Sequence, residues 1–168
     1  MKDVKAAKKL GFEFKDADTE IEKAAGRTVA DIFADYGEEE FRRLEEKVIA
    51  RLLTEGQIVL ALGGGAFVSE TTRREIAKLG LSVWLDVDLD TLHERVMRKP
   101  GKRPLLANGN PREILKNLME KRNPAYSLAD LQVKSISGTK SQMRDHLVTS
   151  LDVFLAEKNL RRQQNDAT

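Results

Sequence analysis

Residues 57–66 read QIVLALGGGA, a five-residue apolar run that ends on three consecutive glycines. An unbroken apolar run between turn residues suits a strand covered on both faces, and such strands belong to parallel sheets flanked by helices. A second run, VWLDV at residues 83–87, has the same character. Around both runs the apolar residues recur at spacings of three and four, the period of helices. Strands alternating with helices imply an α/β domain on a mainly parallel sheet, with helices on both faces.

Helix boundaries are readable at several points. Thr28, with Asp31 three residues on, resembles a capping box, and Gly37 closes that helix. Phe41, Leu44, Val48 and Leu52 then share one face of a helix that Gly56 stops. Ser69 caps a helix ended by Gly80, and Asp88 or Asp90 opens the next. Asn110 and Pro111 with Glu113 form a helix start, which Asn123 and Pro124 are expected to break. Short strands are expected at residues 12–14 and 131–133. A long helix follows over residues 141–157, with Met143, Leu147, Leu151 and Leu155 on its face. Residues 99–110 follow neither period and read as a mobile lid. A single domain is expected over residues 1–160, with a frayed polar tail at 161–168.

Bulk properties exclude several classes of function. The 168 residues carry 29 basic and 27 acidic side chains, a net charge of +2 with both signs mixed. That mixture offers no broad field for nucleic acid or an anionic membrane. There is no cysteine, and the two histidines, His93 and His146, lie far apart without metal-ligand spacing. The N-terminal lysines precede no apolar run, so no signal peptide is expected, and no stretch approaches the length of a membrane span. A cytoplasmic monomer acting on a small molecule is the resulting expectation.

Three groups of residues carry candidate chemistry. Gly63, Gly64 and Gly65, three consecutive glycines beyond a strand's carboxyl end, would let a ligand touch backbone amides directly; a tight strand-to-helix turn is the alternative. Asp16 and Asp18, two carboxylates spaced by two, would suit different tasks, one near a hydrated magnesium ion and one on a substrate hydroxyl, or else a helix cap and first-turn acid. Arg42 and Arg43 sit early in a helix, where the macrodipole disfavours cations, so at least one gains something else. Arg103 and Arg122 add further guanidinium groups able to grip carboxylate or phosphate bidentately. Each arginine alone also reads as an ordinary surface charge.

Taken in order, FKDAD, GRTVADIF, GEEEFRRLE, LGGGA, WLDVD, KRPLL and EKRNPAY resemble the shikimate kinase family from about residue 11 to residue 133. The resemblance implies a P-loop kinase-like fold that uses ATP and Mg2+ to phosphorylate a shikimate hydroxyl, a step in making aromatic amino acids. It implies that Asp18 holds substrate hydroxyls and receives a proton, and that Arg42 and Arg122 clamp the shikimate carboxylate. Gly64 and Gly65 would give backbone contacts, and Arg103 would neutralise the transferred phosphoryl group. Asp16 would stand near magnesium, Arg95 would pack on adenine, and residues 134–138 fall where the adenine loop lies.

The 168 residues contain no GxxxxGK[ST] run. By the resemblance, Met1 falls at the end of that motif, and the first, central strand of the sheet is lacking, between residues 58–62 and 83–87. A misplaced start or a fragment is the expected reason. Turnover by these residues alone is expected near the detection limit, since alignment for in-line transfer can supply ~7–11 kcal/mol. The flanking strands are expected either to close up or to leave a gap. Two other functions compete: a non-catalytic shikimate-binding protein, and a kinase of another small polyol such as gluconate.

Overall fold

The computed structural model describes residues 4–98 and 109–166. Arg103 and most of the expected lid lie outside the described residues. Helix α1 (Val4–Leu10) leads into strand β1 (Glu13–Asp16), and helices α2 (Ala17–Ala25) and α3 (Val29–Leu53) follow. Strand β2 (Ile58–Ala61), a 3-10 turn (Ala66–Val68) and helix α4 (Glu70–Leu79) come next. Then come β3 (Val83–Asp86), α5 (Leu89–Met97), α6 (Pro111–Tyr126), β4 (Leu131–Lys134) and α7 (Lys140–Asp166).

The strands form two parallel pairs. β1 pairs with β2, Glu13 opposite Ile58, and β3 pairs with β4, Val83 opposite Leu131. No ladder joins β2 to β3 among the described residues, so the gap stays open rather than closing. Both strands are accordingly half-buried along their length, where full cover was expected from their apolar runs. Their unpaired edges leave backbone donors and acceptors unladdered. The first strand also starts later than its apolar pattern suggests, at Glu13 rather than Phe12.

Local chemistry accounts for the helix ends. The Thr28 side chain accepts from the Asp31 amide while the Asp31 carboxylate reaches back to Thr28, a complete capping box. Ser69 and Asp88 cap α4 and α5 by accepting from Thr72 and Thr91. Gly37, at φ 79° and ψ 176°, divides α3 into two helical segments. That conformation is open to glycine and strained for other residues. Pro124 does not break α6, which continues to Tyr126. The helix ends only two residues later, so the proline removes one hydrogen bond at its margin, and the Ser127 amide caps it on the Asn123 carbonyl at 2.8 Å.

The main core lies between α2 and α3, where Ile21, Ile32, Phe41, Val48 and Leu52 are buried together. Phe33 packs its ring against Phe41 with centroids 4.4 Å apart. A smaller cluster of Ala17, Ile49 and Ala66 sits under the glycine turn. This cluster joins α2, α3 and the 3-10 turn, so it sets how those three elements meet. No helix is long and apolar enough to cross a membrane among the described residues.

Candidate functional site

Five side chains from three helices reach the glycine turn that follows β2. A Cβ on any of these three glycines would press against one of those side chains. At Gly63 it would lie 3.0 Å from an Asp18 carboxylate oxygen and 3.3 Å from Glu45 Oε1. At Gly64 it would lie 2.6 Å from Arg122 Nη1, and at Gly65 2.5 Å from Arg42 Nη1. None of the three glycines has positive φ. Their lack of a side chain serves close approach rather than backbone freedom. The amides of Gly64 and Gly65 donate to no backbone carbonyl among the described residues.

Each side chain is delivered by a local rule. Asp18 lies in the first turn of α2, where an acid is favoured by the helix dipole, and it is exposed. Arg42 is carried by α3 beyond the Gly37 kink, which places Glu38 and Glu45 within one turn of it. Its two terminal nitrogens bond Glu45 Oε2 at 2.6 Å and Glu38 Oε1 at 3.1 Å. Among the described residues Arg43 pairs with the exposed Glu39 and Glu40. So of the two adjacent arginines, only Arg42 stands at the turn.

Glu45 was not apparent as a site residue from the sequence. It is 2% exposed and occupies the apolar stripe of α3 between Phe41 and Val48. Burial pushes its carboxyl above the ordinary carboxylate range, Arg42 pulls against that, and the charges of Asp18 and Glu46 push it further up. A buried carboxylate anchoring a guanidinium holds that fork in one orientation.

This pairing has a testable pH signature. Because Glu45 titrates higher in the fold than in the open chain, its ionisation costs stability as pH rises through the folded value. Removing Arg42 removes the influences that lower that value. Arg42→Ala is therefore expected to melt lower at neutral pH, by about 2 kcal/mol. The deficit should shrink as pH falls toward the ordinary glutamate range. Thermal denaturation of both proteins across pH checks this, and a deficit constant with pH would show that Glu45 is not the partner left unpaired.

Arg122 and Tyr126 lie four residues apart on α6 and so share a face. The Tyr126 hydroxyl donates to the Gly64 carbonyl, and its ring leans on Trp84 with centroids 6.0 Å apart. Asp16, by contrast, is the N-cap of α2, its Oδ1 accepting from the Thr19 amide at 3.1 Å and hydroxyl at 3.2 Å. Arg95 donates to Ser135 Oγ at 3.0 Å, which ties α5 to the stretch after β4. Neither Asp16 nor Arg95 is among the side chains nearest the three glycines. No group of three or more His, Cys, Asp or Glu is arranged to hold a metal among the described residues.

A family model for shikimate kinase matches residues 4–152. The shikimate kinase of Brucella canis is 46% identical over 154 residues, covering 92% of this chain and 76% of that protein. The shikimate kinase of Cereibacter sphaeroides is 51% identical over 152 residues, covering 88% of this chain and 76% of that protein. The solved shikimate kinase from Acinetobacter baumannii in complex with shikimate superimposes with a TM-score of 0.81 at 33% identity, covering 91% of this chain and 84% of that one. These relatives favour neither the gluconate-kinase nor the binding-only alternative.

Proposed function

The chain belongs to the shikimate kinase family, and from that premise we propose that its glycine turn and the side chains around it bind shikimate as a phosphoryl acceptor. The observation that carries the reading is the meeting of Asp18, Arg42 and Arg122 at three consecutive glycines. Two guanidinium forks at one turn suit a single carboxylate, held by charge-assisted bonds. The open amides of Gly64 and Gly65 offer donors to the same molecule. One aspartate beside them suits a ring hydroxyl.

In this reading Asp18 accepts the hydroxyl proton as that oxygen bonds the terminal phosphorus of ATP and the bridging P–O bond breaks, releasing ADP. Arg42 and Arg122 fix the ring so that one hydroxyl faces the donor. Arg103 would meet charge on the transferred group. Arg95, beside Ser135, would face the adenine. Magnesium in such sites keeps several waters and uses one or two carboxylates plus phosphate oxygens. Asp16, a single carboxylate at a strand end, fits that sparse demand, and the ion would supply charge neutralisation at the phosphates. No triphosphate cradle is assigned to any residue of this chain.

Calorimetry tests the acceptor assignment without any need for turnover. Shikimate is expected to bind more tightly than gluconate, by roughly tenfold or more. Equal or tighter binding of gluconate would overturn the choice of acceptor.

A further inference from the structure

Tyr126 makes two contacts that the proposed chemistry leaves without a purpose. Its hydroxyl donates to the carbonyl of Gly64, and its ring leans on Trp84 of β3 at a tilt of 53°. The Gly64 carbonyl and the Gly65 amide belong to one planar peptide unit, so a bond that fixes the carbonyl also fixes the direction of that N–H. The same hydroxyl stands 3.5 Å from where a Cβ on Gly64 would lie, on the side occupied by Arg122. Arg122 comes one helical turn earlier on the same face, so the latch that holds the peptide also holds the helix end that carries the arginine.

We propose that Tyr126 is a positioning residue, which sets the Gly64–Gly65 peptide plane and the seat of Arg122 before the acceptor arrives. The identity of that acceptor rests on the reading above; the latch itself does not. A tyrosine suits the task because its apolar ring packs while its tip bonds. Burial pushes the phenol above its ordinary value, and the charges of Arg122 and Arg42 pull against this without reversing it. The hydroxyl therefore remains a neutral donor throughout the working range. Phenylalanine would keep the ring and lose the hydroxyl's bonds to the Gly64 carbonyl and to Arg122. Leucine would lose both those bonds and the ring against Trp84.

Two readouts on Tyr126→Phe and Tyr126→Leu test this. The first is the Gly65 amide signal and its hydrogen exchange in ligand-free protein by NMR. The second is shikimate affinity by calorimetry. In Tyr126→Phe the Gly65 signal is expected to move and its exchange to quicken, with shikimate affinity falling roughly three- to tenfold. Its melting temperature should stay close to that of the parent, whereas Tyr126→Leu should lower it clearly. A Gly65 amide unchanged in Tyr126→Phe, with affinity unchanged, would reduce Tyr126 to a packing residue and overturn the proposal. If the parent protein binds no shikimate, the acceptor reading fails, yet the amide signal still decides whether the latch exists.

Discussion

Asp18→Asn is expected to remove whatever phosphoryl transfer to shikimate the parent shows, since losing a general base costs roughly 10²–10⁴-fold. Asparagine has nearly the same shape and can still hydrogen-bond a ring hydroxyl, so the acceptor should still bind. It has no basic oxygen to take the proton as the new O–P bond forms. Asp18 is exposed in the first turn of α2 and its carboxylate closes on Gly63. Its loss should leave the buried core untouched. Transfer is best followed over hours with protein in excess over shikimate, in ATP and magnesium, with the product read by mass spectrometry. Calorimetry on the same samples should show affinity within about an order of magnitude of the parent. Transfer at the parental rate would remove Asp18 from the proton's path.

Gly65→Ala should separate binding from folding. The backbone at Gly65, φ −99° and ψ −22°, accepts alanine without strain. The added methyl, however, would stand 2.5 Å from Arg42 Nη1 and 2.6 Å from Cζ. The guanidinium is the far end of a flexible side chain, so it gives way and the main chain does not. Displacing one charged fork from a carboxylate costs about 2 kcal/mol or more, hence roughly 30-fold or more in shikimate affinity. Melting should change far less than in Arg42→Ala, because the methyl moves the fork without deleting it. Parental affinity in Gly65→Ala would mean that Arg42 does not hold the acceptor in the geometry described.

Much of the fold was legible because its signals are local. Thr28 with Asp31, Ser69, Asp88 and Asn110 all cap where their side-chain chemistry says they should. Pro124 misled because a proline's cost depends on how much helix follows it, and here little does. The depth of β2 and β3 was misjudged for a different reason. An apolar run reports how a strand would like to be covered, but its neighbours decide whether it is, and these two strands have no ladder between them.

The site divides along similar lines. The glycine triplet and the paired arginines stand out as residue types placed against their ordinary preferences. Glu45 did not stand out, because Leu44 was assigned to the stripe of Phe41, Val48 and Leu52. In the folded chain Glu45 holds the buried place and Leu44 is half-buried. A three-or-four spacing admits either neighbour, and only Arg42 three residues earlier hints that an acid could enter an apolar face. Tyr126 was hidden because its partner is a backbone carbonyl 62 positions away, which no side-chain pattern records.

The central claim is that one carboxylate sits between the forks of Arg42 and Arg122. Titrating the protein with shikimate and with its methyl ester isolates that claim, because the ester keeps every hydroxyl and the ring. The acid should bind and the ester should bind more weakly, by roughly a hundredfold or more. Equal affinities would contradict the account, since the two guanidinium groups would then be gripping something other than the acid.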